Sequence, residues 1–126
     1  MKNIDTTMRI RLWFETDSQM LFGLGRVLLL KKVDECGSLY KAAKEMGMSY
    51  RAAWGKIKAT ESELGVKLLT KAPGEKRYRL SENGRLLLDN FDAWCRDIEE
   101  MALQKARNIF PWQIRKFDTK EINNIP

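Results

Sequence analysis

Residues 38–57 read SLYKAAKEMGMSYRAAWGKI, two short helical runs separated by Gly47 and Met48. In the first run Ser38 stands where a helix cap belongs. Leu39, Ala42, Ala43 and Met46 then follow at i, i+3, i+4 and i+7, which gathers them into one apolar stripe. Gly47 ends that run and Ser49 caps the next, whose inner face is marked by Ala53, Ile57, Thr60 and Leu64 as far as about Gly65. Two helices joined by a tight glycine-containing turn form a helix-turn-helix pattern. One residue does not fit a helix built only for stability: Gly55 lies mid-run, where glycine costs roughly 1 kcal/mol against alanine.

Upstream, Gly23-Leu24-Gly25 opens a leucine-rich run through Val33 that ends at Gly37, a first helix of the same group. The glycine pair does not make a dinucleotide loop, because Leu28 occupies the third glycine position and no long βαβ unit follows. Before it, MRIRLWFE (8–15) alternates apolar Ile10, Leu12 and Phe14 with basic or aromatic residues, and QMLF (19–22) follows the turn-like Thr16-Asp17-Ser18. The spacing predicts a small N-terminal hairpin.

Downstream, VKLLTKA reads as a strand, Pro73-Gly74 as a turn and KRYRL as a returning strand. Three helices followed by a short basic hairpin describe a winged helix-turn-helix; the bland alternative is a solvated charged hairpin with no partner. From Ser81 a long helix runs to Pro111, with Leu88, Phe91, Cys95, Ile98 and Ala102 in a 3-4-3-4 spacing and Leu87, Trp94 and Met101 in a second row. About 30 residues span roughly 45 Å. The expectation is a dimer interface along those eight residues, the alternative being that the helix packs wholly on its own domain. The fold class expected is mainly α with small β hairpins: a winged helix-turn-helix with its hairpin over 1–80, a dimerisation helix over 81–110 and a tail over 111–126 with no clear period.

Charge and chemistry narrow the function. Residues 1–80 carry 16 Lys and Arg against 9 Asp and Glu, whereas residues 81–126 carry 7 against 8. The basic excess thus belongs to the helix-turn-helix part and suits a polyanion. There is no histidine, and Cys36 and Cys95 lie far apart without a CxxC, so neither a zinc site nor a His-based nucleophile arrangement is available. No enzyme, metal or cofactor is expected. No apolar stretch approaches a membrane span and the N-terminus carries no signal-peptide core, which makes a cytoplasmic protein the expectation.

With Ala53, Ile57, Thr60 and Leu64 inward, Arg51, Gly55, Lys58 and Ser62 lie opposite, Trp54 on the flank toward Lys58 and Tyr50 at the edge of the core face. Ser49, Tyr50, Arg51, Trp54 and Lys58 therefore form the segment expected in a major groove, Arg51 on guanine and Lys58 on phosphate. Trp54 reads equally as a packing residue. Backbone N–H groups beside Ser38 and Ser49 suit phosphates, Lys71, Lys76, Arg77 and Arg79 of the wing suit an adjacent minor groove or the backbone, and Gly55 lets the helix approach the DNA backbone.

Gly37-Ser38, Ala42-Ala43, Gly47-Met48-Ser49-Tyr50 and Ala53-Trp54 resemble the N-terminal DNA-binding domain of the molybdate-responsive ModE family of bacterial transcription regulators. More distantly, the Ala-Ala pair and Glu63-Leu64-Gly65-Val66 are similar to landmarks of the LysR-type winged helix. The resemblance implies a homodimeric regulator on double-stranded DNA with a roughly palindromic operator. The wing is shorter and less glycine-rich than is usual in that family, and the sequence given leaves no room for its C-terminal oxyanion-binding module, so molybdate sensing is not carried over. A winged-helix module that docks an acidic protein is the alternative.

Overall fold

A computed structural model describes residues 2–118. In chain order the elements are β1 (Asp5–Met8), β2 (Phe14–Glu15), β3 (Met20–Phe22), α1 (Leu24–Cys36), α2 (Leu39–Glu45) and α3 (Tyr50–Leu64). They continue with β4 (Leu69–Thr70), β5 (Arg79–Leu80), α4 (Glu82–Ile109) and β6 (Gln113–Lys116). The residues divide into two compact units, Leu12–Asp92 and a second built from the chain through Arg11 together with the chain from Ala93 onward.

The Leu12–Asp92 unit is a winged helix-turn-helix. Each helix boundary has a local cause. Gly37 and Gly65 adopt left-handed backbone at φ 76° and 71°, a conformation other residues rarely accept, and their N–H groups close α1 and α3 on the Val33 and Glu61 carbonyls. Ser38 Oγ accepts from Lys41 N and Ser49 Oγ accepts from Ala52 N, satisfying donors that a helix start leaves open. Ser81 caps α4 in the same way, accepting from Gly84 N at 2.9 Å. The core gathers Val27, Leu29, Leu30, Val33, Leu39, Ala42, Ala43, Ala53, Ile57, Leu68 and Leu69, each at most 2% exposed. Arg85 and Asp34 pair through both guanidinium nitrogens and Lys31 meets Asp92 at 3.0 Å, holding the start of α4 to α1.

Two expectations about strands change. The 8–15 stretch is not one strand: only Phe14–Glu15 pairs with Met20–Phe22, antiparallel and with a register irregularity, so the N-terminal hairpin exists but is short. Its alternation did not mark a buried face, since Phe14 is 49% exposed. The wing ladder is likewise brief, Leu69 opposite Leu80 and Thr70 opposite Arg79.

In the second unit β1 runs parallel to β6, Asp5 to Met8 against Gln113 to Lys116. Side chains reinforce this two-stranded ladder. Thr6 Oγ1 donates to the Gln113 carbonyl at 2.8 Å, Arg115 Nε donates to Thr7 Oγ1 at 2.8 Å, and Arg107 donates twice to the Ile114 carbonyl. Leu103 and Ile114 are its buried apolar residues. Part of the unassigned tail is thus a strand; residues 119–126 lie outside the described residues. Among the described residues no helix is long and apolar enough to cross a membrane.

Candidate nucleic-acid interface

α3 presents a polar face that the unit leaves uncovered. Ser49, Tyr50, Arg51, Ala52, Gly55, Lys56 and Ser62 are exposed, while Ala53, Ile57, Thr60 and Glu61 are buried. Arg51 has no ion-pair partner among the described residues. A Cβ added at Gly55 would meet nothing within 4 Å, so no packing among the described residues requires glycine there. Lys56, which the sequence reading passed over, belongs to this face beside Gly55. Its carbonyl is held by Arg26 Nε at 3.2 Å, which ties the middle of α3 to α1.

The inner face differs from expectation at one turn. Leu64 is 38% exposed and Glu61 takes an inward place at 6%. A buried carboxylate is tolerable only when fully bonded. Glu61 Oε2 accepts from Leu68 N at 2.7 Å and Leu69 N at 3.1 Å, and Oε1 accepts from Lys58 at 2.7 Å. Burial pushes the Glu61 carboxyl up, but the Lys58 ammonium and the two N–H donors outweigh it and hold the group below its ordinary value. The signal in the sequence was a glutamate directly after Thr60 on the apolar stripe.

Lys58 is consequently not the free cation expected. Its ammonium is shared between Glu61 and the Trp54 ring, 4.3 Å from the centroid. Trp54, read equally as contact or packing residue, is half-buried and enclosed: Tyr50 stacks on it at 6.2 Å, Tyr78 meets it edge-on at 4.8 Å, and Lys58 covers a face. With Tyr40 at 6.3 Å from Tyr50, four aromatic rings link α2, α3 and the wing.

On the wing, Lys76 and Arg77 are exposed beside Gly74, whose φ of 83° makes the turn. Arg79 pairs with Glu75 at 3.2 Å, and Lys71 lies 5.3 Å over the Tyr78 ring. Lys58, Lys67, Lys71, Tyr78 and Ser81 line an open cleft of about 400 Å³ between α3, the wing and the first turn of α4. Ser38 is the clear correction. It is 4% exposed, its hydroxyl is used by Lys41 N, and the adjoining Leu39 N donates to the Tyr78 carbonyl, so two N–H groups at this helix start are already used within the chain and the hydroxyl is buried.

The apolar face assigned to a dimer also divides. Leu88 is 4% and Phe91 7% exposed, and the Phe91 ring meets Phe22 edge-on at 5.0 Å in the core of the Leu12–Asp92 unit. These two are occupied within the chain. Leu87, Trp94, Cys95, Ile98 and Ala102 are half-buried and Met101 is 56% exposed.

Comparison with known proteins agrees with this geometry. The family model described as bacterial regulatory helix-turn-helix protein, lysR family, matches residues 24–85. The chain is 43% identical over 97 residues to the molybdenum-pterin-binding protein MopB of Rhodobacter capsulatus, covering 73% of this chain and 36% of MopB. It is 36% identical over 77 residues to the transcriptional regulator ModE of Haemophilus influenzae, covering 60% of this chain and 28% of ModE. It therefore spans about a third of the length of these curated relatives. Among solved structures, the crystal structure of BenM_DBD with benA site 1 DNA superposes with a TM-score of 0.51 at 20% identity, over 66% of this chain and 94% of that one, a likeness of fold.

Proposed function

We propose, from the match of residues 24–85 to the family model described as bacterial regulatory helix-turn-helix protein, lysR family, that this chain is a sequence-specific, double-stranded-DNA-binding transcription regulator that acts as a homodimer. The observation that carries the reading is the uncovered face of α3: Arg51, Gly55 and Lys56 are exposed, with Lys76 and Arg77 exposed on the adjoining wing. A helix that leaves an arginine uncommitted next to a glycine-smoothed strip suits entry into a major groove. Arg51 would pair bidentately with a guanine; Lys56, Lys76 and Arg77 would meet phosphates and set register without reading sequence. The Ser49 helix start, exposed unlike that of Ser38, adds N–H groups for one phosphate.

Dimerisation would use the α4 face beyond Leu88 and Phe91, along which Leu87, Trp94, Cys95, Ile98 and Ala102 are half-buried and Met101 is 56% exposed. Two-fold pairing would set recognition helices on half-sites about 34 Å apart in a roughly palindromic operator.

The test is selection of bound fragments from genomic DNA followed by titration of the recovered duplex at several salt concentrations. A recovered consensus with inverted half-sites and affinity that falls steeply with salt is the expected outcome. Negligible binding even at low salt would overturn the reading and favour a module that docks an acidic protein.

A further inference from the structure

Tyr50 opens the exposed face of α3, yet its ring is apolar and 40% exposed among charged neighbours. It is also held from two sides. Trp54, one turn on, stacks nearly parallel to it at 21° and 6.2 Å, and Tyr40 from α2, itself 64% exposed, lies 6.3 Å away. Trp54 is in turn fixed by Tyr78 and Lys58. The row therefore pre-positions the Tyr50 ring at the helix start, and a ring that is already ordered loses little side-chain freedom on contact.

Resting on the DNA reading above, we propose that the Tyr50 ring reads the C5-methyl group of a thymine in the major groove, with Tyr40 and Trp54 as positioning residues. The chemistry that selects this ligand is exclusion. Base edges in the major groove offer hydrogen-bond donors and acceptors, which a ring face does not satisfy, and one apolar group, the thymine methyl. A ring on the first turn of the helix proposed to face the groove, part exposed and flanked by Tyr40 and Trp54, is matched to that group. Arg51 beside it supplies the polar readout, so the two consecutive residues divide apolar and polar recognition between them.

Uracil substitution isolates the contact, because deoxyuridine removes the methyl group and leaves the pairing edge intact. A duplex selected by the protein from a random library is synthesised with scattered deoxyuridine, and bound and free fractions are compared at each thymine. Wild type should disfavour uracil at one or more thymines per half-site, about fourfold for each methyl contact. Tyr50→Phe should keep that discrimination and Tyr50→Ala should lose it while still selecting the remaining consensus. Absence of any thymine position sensitive to uracil overturns the inference, as does unchanged sensitivity in Tyr50→Ala. Discrimination lost in Tyr50→Phe also overturns it, since the hydroxyl would then carry the effect. Failure to select any sequence overturns the DNA reading itself, a distinct result.

Discussion

The Glu61 carboxylate accepts a hydrogen bond from the Leu68 backbone N–H at 2.7 Å, joining the last turn of α3 to the residue just before the strand β4 that begins the wing. The two parts of the candidate interface are thus coupled by one buried side chain.

Glu61→Ala should destabilise the fold by roughly 2–3 kcal/mol, because the Leu68 and Leu69 N–H groups would be left buried without acceptors. Glu61→Gln, which keeps one acceptor oxygen, should lose less. Urea unfolding monitored by circular dichroism measures both. Equal stability of wild type and Glu61→Ala would contradict the coupling.

The same carboxylate gives stability a pH dependence. Its folded-state value lies below the ordinary one, with burial opposing and Lys58 and two N–H donors overcoming it. The unfolded chain therefore binds this proton more readily. The contribution is complete above the unfolded value of about 4.3 and is lost as pH falls from there through the lower folded value. Unfolding midpoints between about pH 6 and pH 3 should fall more steeply in wild type than in Glu61→Gln.

Gly55 and Gly84 predict opposite signs for one substitution. Alanine at Gly55 enters open space and should stabilise by up to about 1 kcal/mol. At Gly84 the added Cβ would collide with the Leu68 carbonyl, a backbone atom that cannot swing aside, and a loss of about 1–3 kcal/mol is expected. Thermal unfolding of both variants reads the contrast. Gly55→Leu should fold yet lose DNA affinity, since its bulk lies on the face offered to the duplex.

Arg51→Ala should weaken binding to the selected duplex by about 1–3 kcal/mol and relax preference at one base position. Lys76→Ala and Arg77→Ala should each lower affinity for specific and random duplexes alike and reduce the salt slope by about 1. Anisotropy titrations across a salt series separate the two patterns.

Met101→Asp and Phe91→Ala should part company. The first places a charge on an exposed apolar position and should shift sedimentation from dimer to monomer with the fold intact. The second removes a ring packed on Phe22 and should destabilise by about 3–5 kcal/mol.

The helix-turn-helix was legible because its signals are local. Ser38 and Ser49 sit at helix starts, Gly37, Gly47 and Gly65 at left-handed positions, and the Leu39-Ala42-Ala43 stripe repeats at helical spacing. The strands were less so. Asp5–Met8 pairs with Gln113–Lys116, and nothing near either segment marks a partner more than 100 residues away.

Propensity and period within a few residues account for the three helices, their caps, the wing turn at Gly74 and the face of α3 that carries Arg51 and Gly55. Which of the expected site residues stay open to solvent depends on packing between elements. Lys58 is taken up by Glu61 and Trp54, Ser38 is closed off by Lys41 and the Tyr78 carbonyl, and Leu88 and Phe91 are buried in the core. The physical reason is that a side chain's availability depends on neighbours from other elements, and spacing along one helix does not contain them. Gly55 remains as the sequence placed it, outward, where an added Cβ would meet nothing within 4 Å among the described residues.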